Sequence, residues 1–145
     1  MNLRILVNYD GQSDDCIKAA FIYFGDRLND LYIHTAVPHL PYCSALETCF
    51  YDPSYAEEKY QEYYQQKSSD KQKECAMNYP KVSVETILSR GSYGLNILST
   101  CKEKDPDLLI LCRSNKSFNM FGSGDDWGIV RTRCYKPILE LKKGD

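Results

Sequence analysis

The segment at residues 3–9 is a predominantly apolar run that ends in Asp10-Gly11. Continuous rather than alternating apolarity is typical of a strand buried on both faces, as in a parallel sheet. Residues 31–37 form a second such run, and the stretch between the two runs has apolar residues at helical spacing after a candidate N-cap, Ser13. That stripe consists of Ile17, Ala20, Phe21, Phe24 and Leu28. The start of the chain therefore predicts a right-handed strand–helix–strand unit.

The same alternation continues to the end of the chain. Residues 38–52 are predicted to be a loop, and Asp52-Pro53 predicts the start of a helix that reaches about Met77. The remaining predicted elements are an edge strand at 82–88, a helix after Gly91-Ser92 with Leu95, Leu98 and Cys101 facing inward, a central strand at 108–111, a polar loop at 112–124, a helix opened by Asp125-Asp126, and a strand at 137–141. Five strands and four helices predict a doubly wound, open, Rossmann-like α/β sheet with helices on both faces, in a single domain over residues 1–145.

The long helix after Pro53 is unusual because its apolar face consists mainly of tyrosines. The face comprises Tyr55, Tyr60, Tyr63, Tyr64, Cys75 and Ala76, and the stretch at 67–73 is predicted to be solvated. Half-buried packing, with the ring inward and the hydroxyl in water, is the favoured interpretation. An aromatic platform for a ligand is the alternative.

Composition excludes several classes of partner. The chain has 145 residues, a net charge of −2 and no Lys/Arg-rich block, so neither nucleic acid nor an anionic membrane is expected as a partner. No apolar run approaches the roughly 20 residues that span a bilayer. The first residues resemble a strand rather than a signal peptide, which predicts a cytoplasmic protein.

The seven cysteines show no metal-ligand or Cys-x-x-Cys spacing. Reduced thiols, some of them in the core, are the favoured interpretation, and a thiol-based sensor is the alternative. Cys43 and Cys49, in the loop at 38–52, are the first pair to consider for a sensor.

A ligand crevice is expected at the carboxyl ends of the strands, where strand order reverses. Asp10-Gly11, Val37-Pro38 and the 112–124 loop converge there. His34, in the second strand, is interpreted as a core-edge residue, and His39 has no evident nucleophile nearby. Because no hydrolase elbow, Walker loop or zinc-protease helix is present, a dedicated enzyme is not expected.

Several motifs together resemble the universal stress protein family. The start, Ile5-Leu6-Val7-Asn8-Tyr9-Asp10-Gly11, is similar to the family's opening strand, which typically reads Ile-Leu-Val and, a few residues later, Asp-Gly-Ser. The second half follows the family's order, with Gly91-Ser92-Tyr93-Gly94, Asp107-Leu108-Leu109-Ile110-Leu111, a Gly-Ser loop, a helix and Lys136-Pro137-Ile138-Leu139. The resemblance covers nearly the whole chain. It implies the strand order 3-2-1-4-5 and a homodimer through the last strand, which begins at Pro137 and ends at Leu141.

The resemblance also implies a candidate nucleotide site, since some family members bind ATP through Gly-x-x-Gly and a later Gly-Ser or Gly-Thr. This chain has Cys112-Arg113-Ser114-Asn115 at the first motif, and either Gly122-Ser123 or Gly124-Asp125 at the second. The candidate binding residues are Asp10, Gly11, Val37, Arg113, Asn115, Gly122, Ser123 and Gly124. Asp10 could face a ribose and metal, or could simply satisfy backbone N–H groups of its own turn.

The departures predict a degenerate site, because Asp125 and Asp126 would repel phosphate. The favoured hypothesis is a dimeric regulatory or adaptor protein of the stress response, with an unidentified protein partner and no cofactor. The alternative is a switch that binds ATP or AMP with Mg²⁺ and hydrolyses ATP slowly at most.

Overall fold

The computed structural model describes residues 2–11, 13–37, 53–90, 93–113 and 125–142. Within these residues, five strands alternate with four helices. The strands are β1 (Leu3–Asn8), β2 (Leu28–Val37), β3 (Ser83–Arg90), β4 (Leu108–Arg113) and β5 (Ile138–Lys142). The helices are α1 (Asp15–Phe24), α2 (Pro53–Asn78), α3 (Tyr93–Lys104) and α4 (Asp125–Arg133). None of these helices is both long and apolar enough to cross a bilayer.

The strands form one sheet in the order β3-β2-β1-β4-β5, and every neighbouring pair is parallel. This confirms the predicted sheet and its order. β1 is central, since its Val7 pairs with Ile33 of β2 on one side and with Ile110 of β4 on the other. β3 and β5 form the two edges, as the half-exposed pattern of β3 predicted.

Side chains of successive residues in the central strands pack into two separate cores, one on each face of the sheet. On one face, Ile5 and Val7 pack with α1 and with Cys75 of α2. On the other, Leu6 packs with Ile97 of α3 and Val130 of α4. All of these side chains except Cys75 are fully buried, and Cys75 is nearly so. The continuous apolarity of residues 5–7 therefore has a simple cause, because helices cover both faces of the sheet.

The boundaries of α1 differ from the prediction in two ways. The helix ends at Phe24, and Leu28 begins β2, where it is buried and pairs with Leu3. The Arg27 N–H donates to the Phe24 carbonyl, which turns the chain between the two elements. Asp14 rather than Ser13 is the N-cap residue. Helical spacing alone could not separate Leu28 from the stripe, because its position also fits the next strand.

The inward face of α3 was predicted correctly for Cys101 but not for Leu95. Leu95 is half exposed, whereas Gly94, Ile97 and Cys101 are buried. Positions 94, 97 and 101 lie on one helical face by their spacing of three and four residues. Leu98, which is partly buried, lies at the side of that face.

Two further predictions are corrected by the structure. Residues 112 and 113 belong to β4 rather than to a loop, because they pair with Leu141 and Lys142 of β5. In α2, Ser68 is buried within the stretch predicted to be solvated, and Ala76 is exposed rather than inward. Polar residues of α2 lie over the sheet because Gln72 bonds to β3: its side-chain amide donates to the Val84 carbonyl at 3.0 Å.

Candidate functional site

The candidate site lies at the carboxyl ends of β1, β2 and β4, where the chain crosses from one side of the sheet to the other. Asp10 and Gly11 follow β1, Val37 ends β2, and Arg113 ends β4. The structure thus brings these four predicted residues to one end of the sheet. Asn115, Gly122, Ser123 and Gly124 lie outside the described residues, as do His39, Cys43 and Cys49.

The Asp10-Gly11 turn is closed by the acid itself. The Ser13 backbone N–H donates to Asp10 Oδ1 at 2.7 Å, a local side-chain-to-backbone bond that spans three residues. Gly11 has a φ of 90°, a left-handed conformation that glycine adopts without strain. Asp10 is exposed. Its carboxylate therefore satisfies a backbone N–H of its own turn, which is one of the two roles that the sequence allowed.

Helix α2 covers this turn through Tyr64. A Cβ atom at Gly11 would lie 3.1 Å from Tyr64 Cε1, so the ring is in direct contact with the glycine backbone. Tyr64 also packs edge to face against Tyr60 and Tyr63, with ring centroids 5.1 and 5.2 Å away. Burial, together with a hydrogen bond to Tyr60, raises the pKa of the Tyr64 hydroxyl. Tyr64 packs on the turn and on both other rings, as the packing interpretation expects, whereas Tyr63 is 47% exposed.

Lys71 brings a largely buried positive charge to the same side of β1. Its Nζ lies 3.4 Å from Asp14 Oδ2 and 2.7 Å from Glu74 Oε2, and 5.6 Å from the centre of the Tyr9 ring. Burial acts to lower the pKa of Lys71, but the two carboxylates outweigh it and raise the pKa above its ordinary value. The ammonium group is thus charged and already paired with protein carboxylates.

The other side of the sheet holds a buried polar pair at the same end. His34 is fully buried, and its Nε2 lies 2.7 Å from Ser89 Oγ of β3. Burial lowers the pKa of His34 to about 4, so the imidazole is neutral at physiological pH. Among the described residues, His34 Nδ1 has no hydrogen-bond partner, and neither does Oδ1 of Asn8, the residue opposite it on β1. His34 is thus a core residue, more deeply buried than the predicted core-edge position.

Sequence reasoning missed Tyr64 as a cover for Gly11, and also Lys71, Asn8 and Ser89. Asn8 carried a signal, because it is a polar residue inside an otherwise apolar strand. The other three come from α2 and β3, whose placement against β1 and β2 depends on tertiary structure. Among the described residues, no group of three or more acidic, histidine or cysteine side chains could hold a metal ion.

Comparison with protein-family models gives no match for the chain, and comparison with curated protein sequences gives none either. Solved structures do match. A protein of the universal stress protein family from Burkholderia pseudomallei is 17% identical with a TM-score of 0.66, over 94% of this chain and 93% of that chain. UspA from Lactobacillus plantarum is 16% identical with a TM-score of 0.66, over 97% of this chain and 99% of that chain. A universal stress protein in complex with cAMP is 16% identical with a TM-score of 0.55, over 99% of this chain and 100% of that chain.

At these identities the similarity is one of fold. It extends over nearly the full length of each protein, and this chain has the strand order that the sequence resemblance implied. The chain therefore has the Rossmann-like α/β fold that these universal stress proteins have.

Proposed function

We propose that this domain is a dimeric regulatory or adaptor protein of the stress response, whose strand-end site does not bind ATP tightly. It would act by docking on a protein partner, with no requirement for nucleic acid, a membrane or a cofactor. Any turnover would be limited to slow ATP hydrolysis.

The observation that carries the proposal is the start of α4 on Asp125 and Asp126. This helix follows β4 along the chain, where family members that bind ATP are expected to place a hydroxyl against phosphate. A helix N-terminus favours an anion by roughly 0.3–1 kcal/mol. A carboxylate about 4–5 Å from a phosphate charge costs roughly 3–4 kcal/mol at an effective dielectric constant near 20. Two acids at this end outweigh the helix dipole.

The geometry of the first turn supports the same conclusion. Asp10 accepts the Ser13 N–H, and Tyr64 packs on Gly11. A ribose or metal that used this acid would compete with a bond that closes the turn. Lys71, a cation on the same side of β1, is paired with Asp14 and Glu74.

A nucleotide-dependent switch is the second candidate. It is favoured by the similar universal stress protein that was solved in complex with cAMP. A cyclic monophosphate carries a single negative charge, so the acids of α4 would repel it far less than they repel ATP. AMP lies between the two in charge, and Mg²⁺ would offset part of the repulsion of ATP.

Thermal unfolding with and without nucleotide separates the two candidates. For the wild-type chain we expect millimolar ATP–Mg²⁺ to change Tm by less than about 1 °C, because only a ligand that binds the folded state stabilises it. Asp125→Ser should increase the shift that ATP causes, measured against that variant's own ligand-free Tm. Asp26→Ser is the matched control, since Asp26 is exposed and precedes β2 at the opposite end of the sheet. A shift of several degrees with wild-type protein favours the switch.

The proposed dimer uses the free edge of β5. Among the strands that the structure describes, this strand pairs only with β4, and its Ile138 and Leu139 are partly buried in the single chain. An unpaired parallel edge of this kind can pair with a second copy across a two-fold axis. Sedimentation of the wild-type chain should show a dimer at micromolar concentration, and Ile138→Lys should give a monomer. Leu88→Lys, on the opposite edge strand, is the control for lost core packing and should leave the dimer intact.

A further inference from the structure

Cys101 and Cys134 lie together on the α3–α4 side of the sheet. Their Sγ atoms are 4.0 Å apart, although 33 positions separate them in sequence. Cys101 is buried in α3, and Cys134 is partly buried directly after the end of α4. Both adjoin the core cluster that contains Leu6, Ile97 and Val130.

We propose that Cys101 and Cys134 are a redox pair that a hydroperoxide converts reversibly into an intramolecular disulfide. A disulfide has an S–S length near 2.05 Å, so the sulfur atoms need to approach by about 2 Å. Cys134 lies in the short segment between α4 and β5, outside regular structure.

Other contacts already hold the two segments together. Lys136 forms an ion pair with Asp105 at 2.8 Å. Lys136 lies two residues after Cys134, and Asp105 lies four residues after Cys101. The Asp105 N–H also donates to the Cys101 carbonyl at 2.9 Å. The backbone near each thiol is therefore positioned relative to the other, which reduces the entropy that ring closure would otherwise cost.

The difference in exposure assigns the order of the two steps. Cys134 is the more accessible thiol, so its sulfur attacks the peroxide first. The O–O bond breaks, water or an alcohol leaves, and Cys134 becomes a sulfenic acid. The Cys101 sulfur then attacks the Cys134 sulfur, the S–O bond breaks, and the oxygen leaves as water with the Cys101 proton. The two thiols lose two electrons and two protons in total, and the hydroperoxide is reduced by the same two electrons.

Cys101 suits the second step better than the first. Burial raises the pKa of its thiol to about 12, so the thiolate that would attack peroxide in solution is scarce. The nearby Lys136 ammonium acts in the opposite direction and favours the thiolate. In the second step the electrophilic sulfur is that of the Cys134 sulfenic acid, which lies within contact distance of Cys101. A stable free thiolate of Cys101 is therefore not needed.

The pair is far from the candidate nucleotide site. The Arg4 carbonyl, at the start of β1, accepts the Asp107 N–H, and the Arg4 N–H donates to the Asp107 carboxylate. The segment after α3 therefore lies at the amino ends of the strands, opposite Asp10. The redox pair is independent of whether a nucleotide binds, and its effect would be a covalent tie between α3 and the start of the β5 segment.

The test is thiol mapping of the full chain after mild peroxide treatment. Reduced protein is treated with stoichiometric hydrogen peroxide, quenched with an alkylating reagent and digested with trypsin without reduction. Cleavage after Arg90, Lys102, Arg133 and Lys142 places each thiol alone in its own peptide, residues 91–102 and 134–142. We expect these two peptides to be joined, and to separate after treatment with dithiothreitol. We also expect the oxidised chain to unfold about 5 °C higher than the reduced chain.

Variants distinguish the order of steps from simple proximity. Cys101→Ser should leave a sulfenic acid on Cys134 that a dimedone probe captures, whereas Cys134→Ser should show neither the crosslink nor comparable labelling of Cys101. Cys75→Ala is the control, because Cys75 is buried on the opposite face and should not affect the crosslink. If wild-type protein loses thiols to other pairs, or forms no link between the two peptides, the proposal is wrong. That readout uses unmodified protein, so it does not depend on the folding of any variant.

Discussion

The ring of Tyr64 packs directly on the backbone of Gly11, so closely that a Cβ atom there would lie 3.1 Å from Tyr64 Cε1. Gly11 also has a φ of 90°. Two independent constraints, one steric and one conformational, therefore favour glycine at the turn after β1. The contact joins α2 to the sheet at the edge of the candidate site.

We expect Gly11→Ala to destabilise the folded chain by about 1–3 kcal/mol, because the left-handed backbone and the Tyr64 ring both oppose a Cβ atom. Urea unfolding measures the change. Gly128→Ala is the matched control, because no atom of the described residues lies within 4 Å of a Cβ built there and the residue is within α4. That substitution should stabilise the chain by up to about 1 kcal/mol through helix propensity. Equal losses from both variants would contradict the account of Gly11.

Burial of neutral His34 makes stability depend on pH. Its pKa in the folded state is about 4, below the ordinary value of 6.5. The unfolded chain therefore binds more protons in this interval, and stability is lost as pH falls from about 6.5 to about 4. The shift corresponds to roughly 3 kcal/mol. Urea unfolding should show this loss of stability at acid pH in the wild-type chain but not in His34→Gln. His39→Gln, at the other histidine of the chain, should retain it.

Ser68 offers a stabilising substitution. Its side chain is buried in α2, and its Oγ has no hydrogen-bond partner in the part of the chain that the structure describes. Ser68→Ala removes an unsatisfied polar atom and improves helix propensity, so we expect a gain of about 1 kcal/mol in the free energy of unfolding. The neighbouring Ser69→Ala should gain only the propensity contribution, about 0.5 kcal/mol. A loss of stability from Ser68→Ala would contradict this prediction. It would show that the Ser68 hydroxyl makes a stabilising hydrogen bond to a water molecule.

The face of α3 can be tested by a pair of truncations. Ile97 is fully buried, whereas Leu95 is half exposed. We expect Ile97→Ala to cost about 2–5 kcal/mol and Leu95→Ala less than about 1 kcal/mol. Comparable costs would favour the helix orientation expected from sequence, in which Leu95 faces inward.

The sequence predicted the central strands well because each has a buried apolar run with a physical reason for it, and it predicted β3 as an edge strand from its alternating, half-exposed pattern. Residues 5–7 are apolar throughout since both faces of β1 are covered. The order of the strands came from the family resemblance. Leu28 was misplaced because one residue fitted the period of a helix and the start of a strand equally well.

The candidate site was predictable at the strand ends and less so around them. Asp10 and Gly11 lie at the end of β1 as expected, but the cover from Tyr64 depends on how α2 packs against the sheet. The proximity of the two thiols could not be predicted either, because it also depends on how helices pack. Cys101 and Cys134 are neighbours only because α3 and α4 pack side by side, and no spacing rule connects them.

Calorimetric titration of the wild-type chain with ATP–Mg²⁺ tests the central claim most directly. With Asp125 and Asp126 at the start of α4, we predict no saturable binding with a Kd below about 100 µM. Titration of AMP under the same conditions shows whether a less charged adenine nucleotide binds instead. A saturable isotherm with one ATP per chain and a Kd of about 10 µM or tighter would contradict the account.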